Sequence, residues 1–265
     1  MAEAAAVLEH VRSSDGTRIA YWRSGEGPPL VLVHGTTSAH WSFRFIVPAL
    51  VDRFSVYTLD RRGRGESGDQ ADYAIEREFE DVAAVVDSIH EPAGLFGHSY
   101  GATVALGTAL VARELHKLIL YEPAPGISGV VPSEEVERIE DLVARKERDE
   151  AVVHAFRVFG LTREEVEQMR ASPTWPARVA TAHTIAREIR AEEAYRLAPE
   201  RFRELATPVL FLLGEESPDW AHESTERIRA ALPDARVSIL RGQGHAAIMT
   251  APELVAYEVA RFLSP

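Results

Sequence analysis

The sequence contains no cysteine. Disulfides, thiolate nucleophiles and cysteine–zinc sites are thereby excluded. Lysine is almost missing: Lys117 and Lys146 are the only two, and arginine carries the positive charge. No basic cluster occurs and the net charge is −12. Such a surface repels a phosphate backbone, so nucleic acid is not an expected partner, and strongly anionic substrates are mildly disfavoured. Nowhere do about 18 apolar residues run together, so no helix spanning a membrane is expected. Residues Met1 to Ala6 offer neither a basic segment nor a long apolar one, so a secretory signal is not expected and the cytoplasm is the expected compartment. Internal repeats and low-complexity tracts are also missing. What remains is an ordinary globular composition, 265 residues with 46% hydrophobic and 26% charged. That suits one α/β domain with an insertion, or two small domains.

Apolar runs alternate with helical patterns along the chain. Val7 to Arg12 and Arg18 to Arg23 read as strands joined by a turn at Asp15-Gly16. Leu30 to Val33, Ser55 to Leu59, Ala93 to Phe96, Lys117 to Tyr121, Val209 to Leu213 and Arg236 to Leu240 read as further strands, several apolar on both faces as in a parallel sheet. Helices are expected over 41–51, 75–89, 102–111, 220–232 and 252–263. In 75–89, Phe79, Val82, Val86 and Ile89 recur at spacings of three and four. The order implies a mostly parallel sheet covered by helices on both faces. About 85 residues separate the strand ending at Tyr121 from the one beginning at Val209, far more than an ordinary connection. That interval reads as helical: Ser133 before Val136, Ile139 and Val143, a capping box at Thr162–Glu165, and a helix opened by Pro176. The expected division is therefore a core of residues 1–123 and 206–265 and a helical cap of residues 124–205 over the sheet's carboxyl edge. The acidic run from Glu134 to Glu150 reads as a solvated helix face.

Gly97-His98-Ser99-Tyr100-Gly101 lies between the strand at 93–96 and the helix that follows. Strand, sharp turn, helix is the setting in which a serine hydroxyl is pushed out at the sheet's carboxyl edge. Ser99 therefore reads as a nucleophile. The N–H of Tyr100 falls at a helix N-terminus, where developing negative charge is stabilised. The flanking glycines leave room that a Cβ would fill.

Four landmarks occur in order: Gly25-x-Gly-Pro-Pro followed by Val33-His34-Gly35; Asp60-x-Arg62-Gly63-x-Gly65-x-Ser67; Gly97-x-Ser99-x-Gly101; and Gly242-x-Gly244-His245 ahead of a final helix. In these the sequence resembles the α/β-hydrolase superfamily over nearly its whole length except 124–205. The resemblance implies an α/β fold with an eight-stranded, mostly parallel sheet and an active site at its carboxyl edge. It also implies a chain order of serine, acid, histidine. His245, in a glycine-rich loop after the last strand, is the expected base for Ser99. The match puts a second oxyanion donor at the Thr36 N–H beside that of Tyr100. His34 and His98 are expected to be structural, and Asp60 and Arg62 to hold their loop.

The acid departs from the usual pattern. Many relatives carry Gly-x-x-Asp-Pro after the penultimate strand, whereas Gly214-Glu215-Glu216-Ser217-Pro218 has serine in the aspartate's place. Glu122, just past the strand ending at Tyr121, is favoured as the acid, with Asp219 and Glu216 as rivals. Trp41, Phe156, Phe159 and Trp175 are candidates to line an apolar substrate pocket, or to serve cap packing instead. The expected activity is that of a serine hydrolase on a small-molecule carboxylic ester or related acyl substrate, requiring no metal and no cofactor. A carbon–carbon bond hydrolase, a lactonase, a perhydrolase or a non-catalytic binding member are the alternatives.

Overall fold

The structure, a computed structural model, describes residues 6–124, 131–195, 198–232 and 234–264. β1 (Val7–Arg12) and β2 (Arg18–Ser24) pair antiparallel. Their turn forms where Gly16 takes φ +84° and the Asp15 carboxylate accepts the Thr17 N–H at 2.9 Å. β3 (Pro29–Val33) is buried throughout, as its unbroken apolar run requires. A single helix was expected over 41–51, but two short 3-10 turns, His40–Phe43 and Val47–Ala49, stand there instead. Pro48 is one reason: it has no N–H to donate back along the segment, so a continuous α-helical ladder cannot run through it, and it stands in the first turn of the second 3-10 piece.

β4 (Ser55–Leu59), α1 (Ile75–Ser88), β5 (Ala93–His98), α2 (Tyr100–Thr108) and β6 (Leu115–Tyr121) follow. After the helical segment come β7 (Val209–Gly214) and β8 (Ala235–Leu240), with the helix Asp219–Arg229 between them and Pro252–Leu263 at the end. The eight strands are ordered β1-β2-β4-β3-β5-β6-β7-β8. Only the β1–β2 and β2–β4 pairs are antiparallel. The chain steps from β3 to β4 on one side, then crosses to β5 on the other. A crevice opens at the carboxyl ends of such a switch point. Leu30, Leu32, Phe96, Ile119 and Leu212 pack against Phe43, Ile46, Val255 and Val259 in a core of buried side chains.

The chain divides into two compact units. The sheet unit holds residues 1–35, 39–125 and 198–265; the helical unit holds 36–38 and 126–197. Residues 198–205, expected with the insertion, group with the sheet, where Phe202 is fully buried. The helical unit contains α3 (Ser133–Ala144), α4 (Arg148–Val158), α5 (Arg163–Arg170), α6 (Trp175–Ala180) and α7 (Ala182–Tyr195). Its own core joins Val136, Ile139, Val152, Phe156, Trp175 and Ile185. The capping box is formed: Glu165 N–H donates to Thr162 Oγ1 and Thr162 N–H to Glu165 Oε2. The acidic run is not one face. It breaks at Lys146, whose φ is +65°, and its members pair with arginines of other helices, Glu140 with Arg190 and Asp149 with Arg170.

Candidate active site

Ser99 stands between β5 and α2 with φ 57° and ψ −128°, a conformation costly for a residue with a Cβ. The surrounding glycines make the turn possible. A Cβ on Gly97 would lie 2.3 Å from the Gly101 carbonyl oxygen, and one on Gly101 would lie 2.3 Å from that of Val33. The turn is tied at both ends. Ser99 N–H donates to the Tyr121 carbonyl at 2.9 Å, and Ala124 N–H donates to the Ser99 carbonyl at 3.3 Å. Tyr100 opens the nine-residue α2, so its N–H belongs to the first turn, which lacks intrahelical acceptors.

His245 arrives from the loop after β8. Its Nδ1–H donates to Glu122 Oε2 at 2.5 Å, which leaves Nε2 as the basic nitrogen. Glu122 lies one residue past β6 with φ 47° and is fully buried. Its other oxygen, Oε1, accepts Gly214 N–H at 2.7 Å and Ser217 O–H at 2.5 Å. Of the three candidate acids, the structure brings Glu122 to His245; Glu216 and Asp219 are exposed. Three rings hold the His245 loop. His98 Nε2–H donates to the His245 carbonyl at 2.9 Å, and its ring centroid lies 4.7 Å from that of His245. The His245 loop thus meets the residue preceding Ser99. The Tyr121 hydroxyl donates to the Gly244 carbonyl and accepts Ala247 N–H, bracketing His245 from both sides. Burial, then the charge of Glu122, push the Tyr121 phenol well above its ordinary range, so it stays a neutral donor. Trp220 presents its ring edge-on to His245, 5.1 Å between centroids.

After β3, Gly35 approaches Ser99 so closely that a Cβ on it would sit 3.0 Å from Ser99 Cβ. His34 behind it is fully buried. Its Nδ1–H donates to the Gly35 carbonyl at 2.9 Å, and its Nε2 accepts Arg61 N–H at 3.2 Å. Acceptance at Nε2 requires the neutral ring. Burial first, then the charges of Arg61 and Arg64, hold its pKa well below 6.5. Thr36 follows Gly35 directly and groups with Thr37 and Ser38 in the helical unit, where Arg178 Nη1 donates to the Thr37 carbonyl at 3.0 Å. Asp60 organises its own loop and the next: Oδ1 accepts His40 N–H and His40 Nδ1–H, and Oδ2 accepts Glu66 N–H. Arg62 is clamped by Asp81 and Asp15.

Of the four aromatic candidates, Trp41 lies in a 3-10 turn of the sheet unit, half-buried beneath Arg44. Phe156 and Trp175 are core residues of the helical unit, 6.1 Å apart, with Trp175 Nε1–H donating to Asp149. Phe159 packs against the same cluster. Packing within that unit accounts for their burial. Ser217 and Tyr121 hold site residues without having been expected to, and His98, expected to be structural, ties the His245 loop. The one available signal was the serine standing where relatives carry an aspartate. Among the described residues no cluster of histidine and carboxylate side chains fit to hold a metal occurs, and no helix is long and apolar enough to cross a membrane.

Parallel strands that deliver a strained serine turn, with acid and histidine contributed by later strand ends, define a hydrolase of the α/β type. The sequence model of the alpha/beta hydrolase family matches residues 30–259, and the chain belongs to that family. An alpha/beta hydrolase from Sphaerobacter thermophilus has a similar solved structure, 35% identical, with TM-score 0.86, covering 97% of this chain and all (100%) of that one. The uncharacterized hydrolase YugF of Bacillus subtilis is 26% identical over 94% of this chain and 95% of its own length. A soluble epoxide hydrolase of a Corynebacterium species is 32% identical over 46% of this chain; the match spans only 43% of that protein.

Proposed function

We propose that the chain is a serine hydrolase that cleaves a small-molecule carboxylic ester, or a related acyl compound, through an acyl-enzyme intermediate. The observation carrying this reading is the bond from His245 Nδ1–H to the buried Glu122 carboxylate. It leaves Nε2 free of a proton and gives the imidazolium that forms later a fixed counter-charge.

Ser99 Oγ attacks the acyl carbonyl while His245 Nε2 takes its proton. The oxyanion is held by the N–H groups of Tyr100 and Thr36, about 3 kcal/mol each in comparable sites. His245 then protonates the departing alcohol. It next takes a proton from the water that attacks the acyl carbon, and returns it to Ser99 Oγ as the acyl–oxygen bond breaks, releasing the acid and restoring Ser99. No step calls for a metal or an organic cofactor. His34, neutral and already committed at both nitrogens, shapes the Gly35 loop and does not serve as a base. An epoxide hydrolase is among the similar proteins, but forming an alkyl–enzyme ester needs a carboxylate nucleophile, and position 99 is serine.

A fluorophosphonate probe tests the proposal. Wild-type protein is expected to be labelled at Ser99, with labelling lost in Ser99→Ala and strongly slowed in His245→Ala. Labelling elsewhere, or at a rate indifferent to His245, would refute it. Hydrolysis of p-nitrophenyl esters of graded chain length then defines the acyl preference. Thr36→Ala should retain much of that activity, because only its backbone is used, whereas Thr36→Pro should not.

A further inference from the structure

We infer that Ser217 is a positioning residue for the catalytic base, one that orients Glu122 without cancelling its charge. The inference rests on the serine-hydrolase reading above and assigns a role to a position that reading leaves idle. Glu122 must hold a carboxylate oxygen in line with His245 Nδ1, yet the last torsion of a glutamate side chain is broad. A single bond to the imidazole does not fix it. The structure supplies the remaining constraint at Oε1, which accepts Gly214 N–H at 2.7 Å and Ser217 O–H at 2.5 Å, so that Oε2 is turned to His245 Nδ1.

Ser217 is itself held in place. It is buried, its N–H donates to the Gly214 carbonyl at 3.2 Å, and the neighbouring Glu216 N–H donates to the Gln243 carbonyl at 2.9 Å. A Cβ on Gly214 would lie 2.5 Å from Ser217 Oγ, so glycine at 214 leaves the space the hydroxyl occupies. The chemistry of the donor also matters. An arginine or lysine beside Oε1 would neutralise the carboxylate and weaken its hold on the imidazolium. A hydroxyl donates a hydrogen bond and adds no charge.

The experiment compares Ser217→Ala and Ser217→Thr, each in the wild-type and Glu122→Gln backgrounds. Readouts are steady-state hydrolysis of p-nitrophenyl acetate, the rate of fluorophosphonate labelling, and the low-field proton resonance of His245 Nδ1–H. Loss of one hydrogen bond to a charged group corresponds to about a tenfold fall in kcat, with KM unchanged. Ser217→Ala is expected to show that fall together with a shifted or broadened resonance, and Ser217→Thr, which keeps a hydroxyl, to restore both. In Glu122→Gln protein the effect of Ser217→Ala on labelling should vanish, since the carboxylate it acts through is gone. Equal losses in both backgrounds would overturn the inference in favour of a general structural role, as would a Ser217→Ala protein with wild-type kcat and an unchanged resonance. If Glu122→Gln alone retained wild-type activity, the acid assignment would fall and this inference with it. If Ser99 were not labelled in the wild type, the failure would lie with the hydrolase reading itself.

Discussion

Replacing Glu122 by glutamine changes one atom's chemistry and little volume, and the structure dictates how the amide must sit. Two donors, Gly214 N–H and Ser217 O–H, point at Oε1. The amide oxygen must face them, because the reverse orientation sets the NH2 against the Gly214 N–H in a fully buried place. The NH2 is then aimed at His245 Nδ1, which can accept it only by giving up its proton. The ring is forced into the tautomer with hydrogen on Nε2, a donor where a base is required. An analogous change of tautomer in a serine protease triad lowers kcat by about 10⁴, equivalent to about 5 kcal/mol of transition-state stabilisation. The expectation for Glu122→Gln is a loss of that order in kcat for a p-nitrophenyl ester. KM should change little, and the thermal unfolding midpoint should stay close to wild type. Asp219→Asn and Glu216→Gln, both at exposed positions, are expected to behave as wild type. Wild-type turnover by Glu122→Gln, or a comparable collapse in Asp219→Asn, would refute the reasoning.

Three further expectations concern stability. His34 is neutral when folded and takes up a proton near its ordinary pKa when unfolded, so its contribution is present above pH 6.5 and is lost as pH falls below it. Stability measured against His34→Gln should decline by up to about 1.4 kcal/mol per pH unit below that point, and a pH-independent difference would contradict it. Burial raises the Asp15 pKa, but hydrogen bonds from Thr17 and Arg62, with the charge of Arg62, outweigh it and bring it to about 2. Asp15→Asn should therefore be less stable than wild type at neutral pH, with the gap closing between about pH 4 and pH 2 in urea titrations. Gly101→Ala would set a methyl group 2.3 Å from the Val33 carbonyl oxygen and 2.5 Å from that of His34. Overpacking against fixed backbone costs about 1–3 kcal/mol or more, at about 2–4 °C per kcal/mol, and an unchanged unfolding midpoint would argue against the close approach.

What the sequence discloses and what it hides follow from how far each interaction reaches. The unbroken run Leu30–Val33 and the spacing of Phe79, Val82 and Val86 report local geometry against a buried face, and the corresponding strand and helix are present. The Gly97–Gly101 turn is equally local: both glycines are demanded by backbone within a few residues of chain or on the adjoining strand. Where local signals compete, the sequence misleads or stays ambiguous. The apolar residues of 41–51 suggest a helix, but two 3-10 turns stand there, and Pro48, which has no N–H to donate, bars a continuous α-helical ladder. The acidic run 134–150 hides the break at Lys146 because charge does not mark a left-handed residue. Phe156 and Trp175 look alike as pocket wall and as core, since aromatic burial has no direction in sequence. The bonds from Ser217 to Glu122 and from His98 to the His245 carbonyl span 95 and 147 residues. No pattern within one segment encodes them.

Sheet register explains why a carboxylate for His245 can stand after β6 when the turn after β7 carries none at position 217. β6 and β7 are parallel neighbours, Tyr121 opposite Leu212, so both strands end at the same edge. Glu122 N–H still donates to the Leu212 carbonyl at 3.3 Å, which carries the pairing one residue beyond β6. A carboxylate at 122 and a side chain at 217 therefore share one small volume beside the His245 loop, and the bond between them demonstrates it. The imidazole needs a carboxylate oxygen at Nδ1; it has no stake in which strand delivers it. Because side chains alternate along a strand, a slip of one residue in the β6–β7 pairing would turn Glu122 to the opposite face and leave His245 without its partner. The left-handed φ of Glu122 serves the same end, bending the chain just past the last paired residue so that the long side chain doubles back under the turn at 214–217.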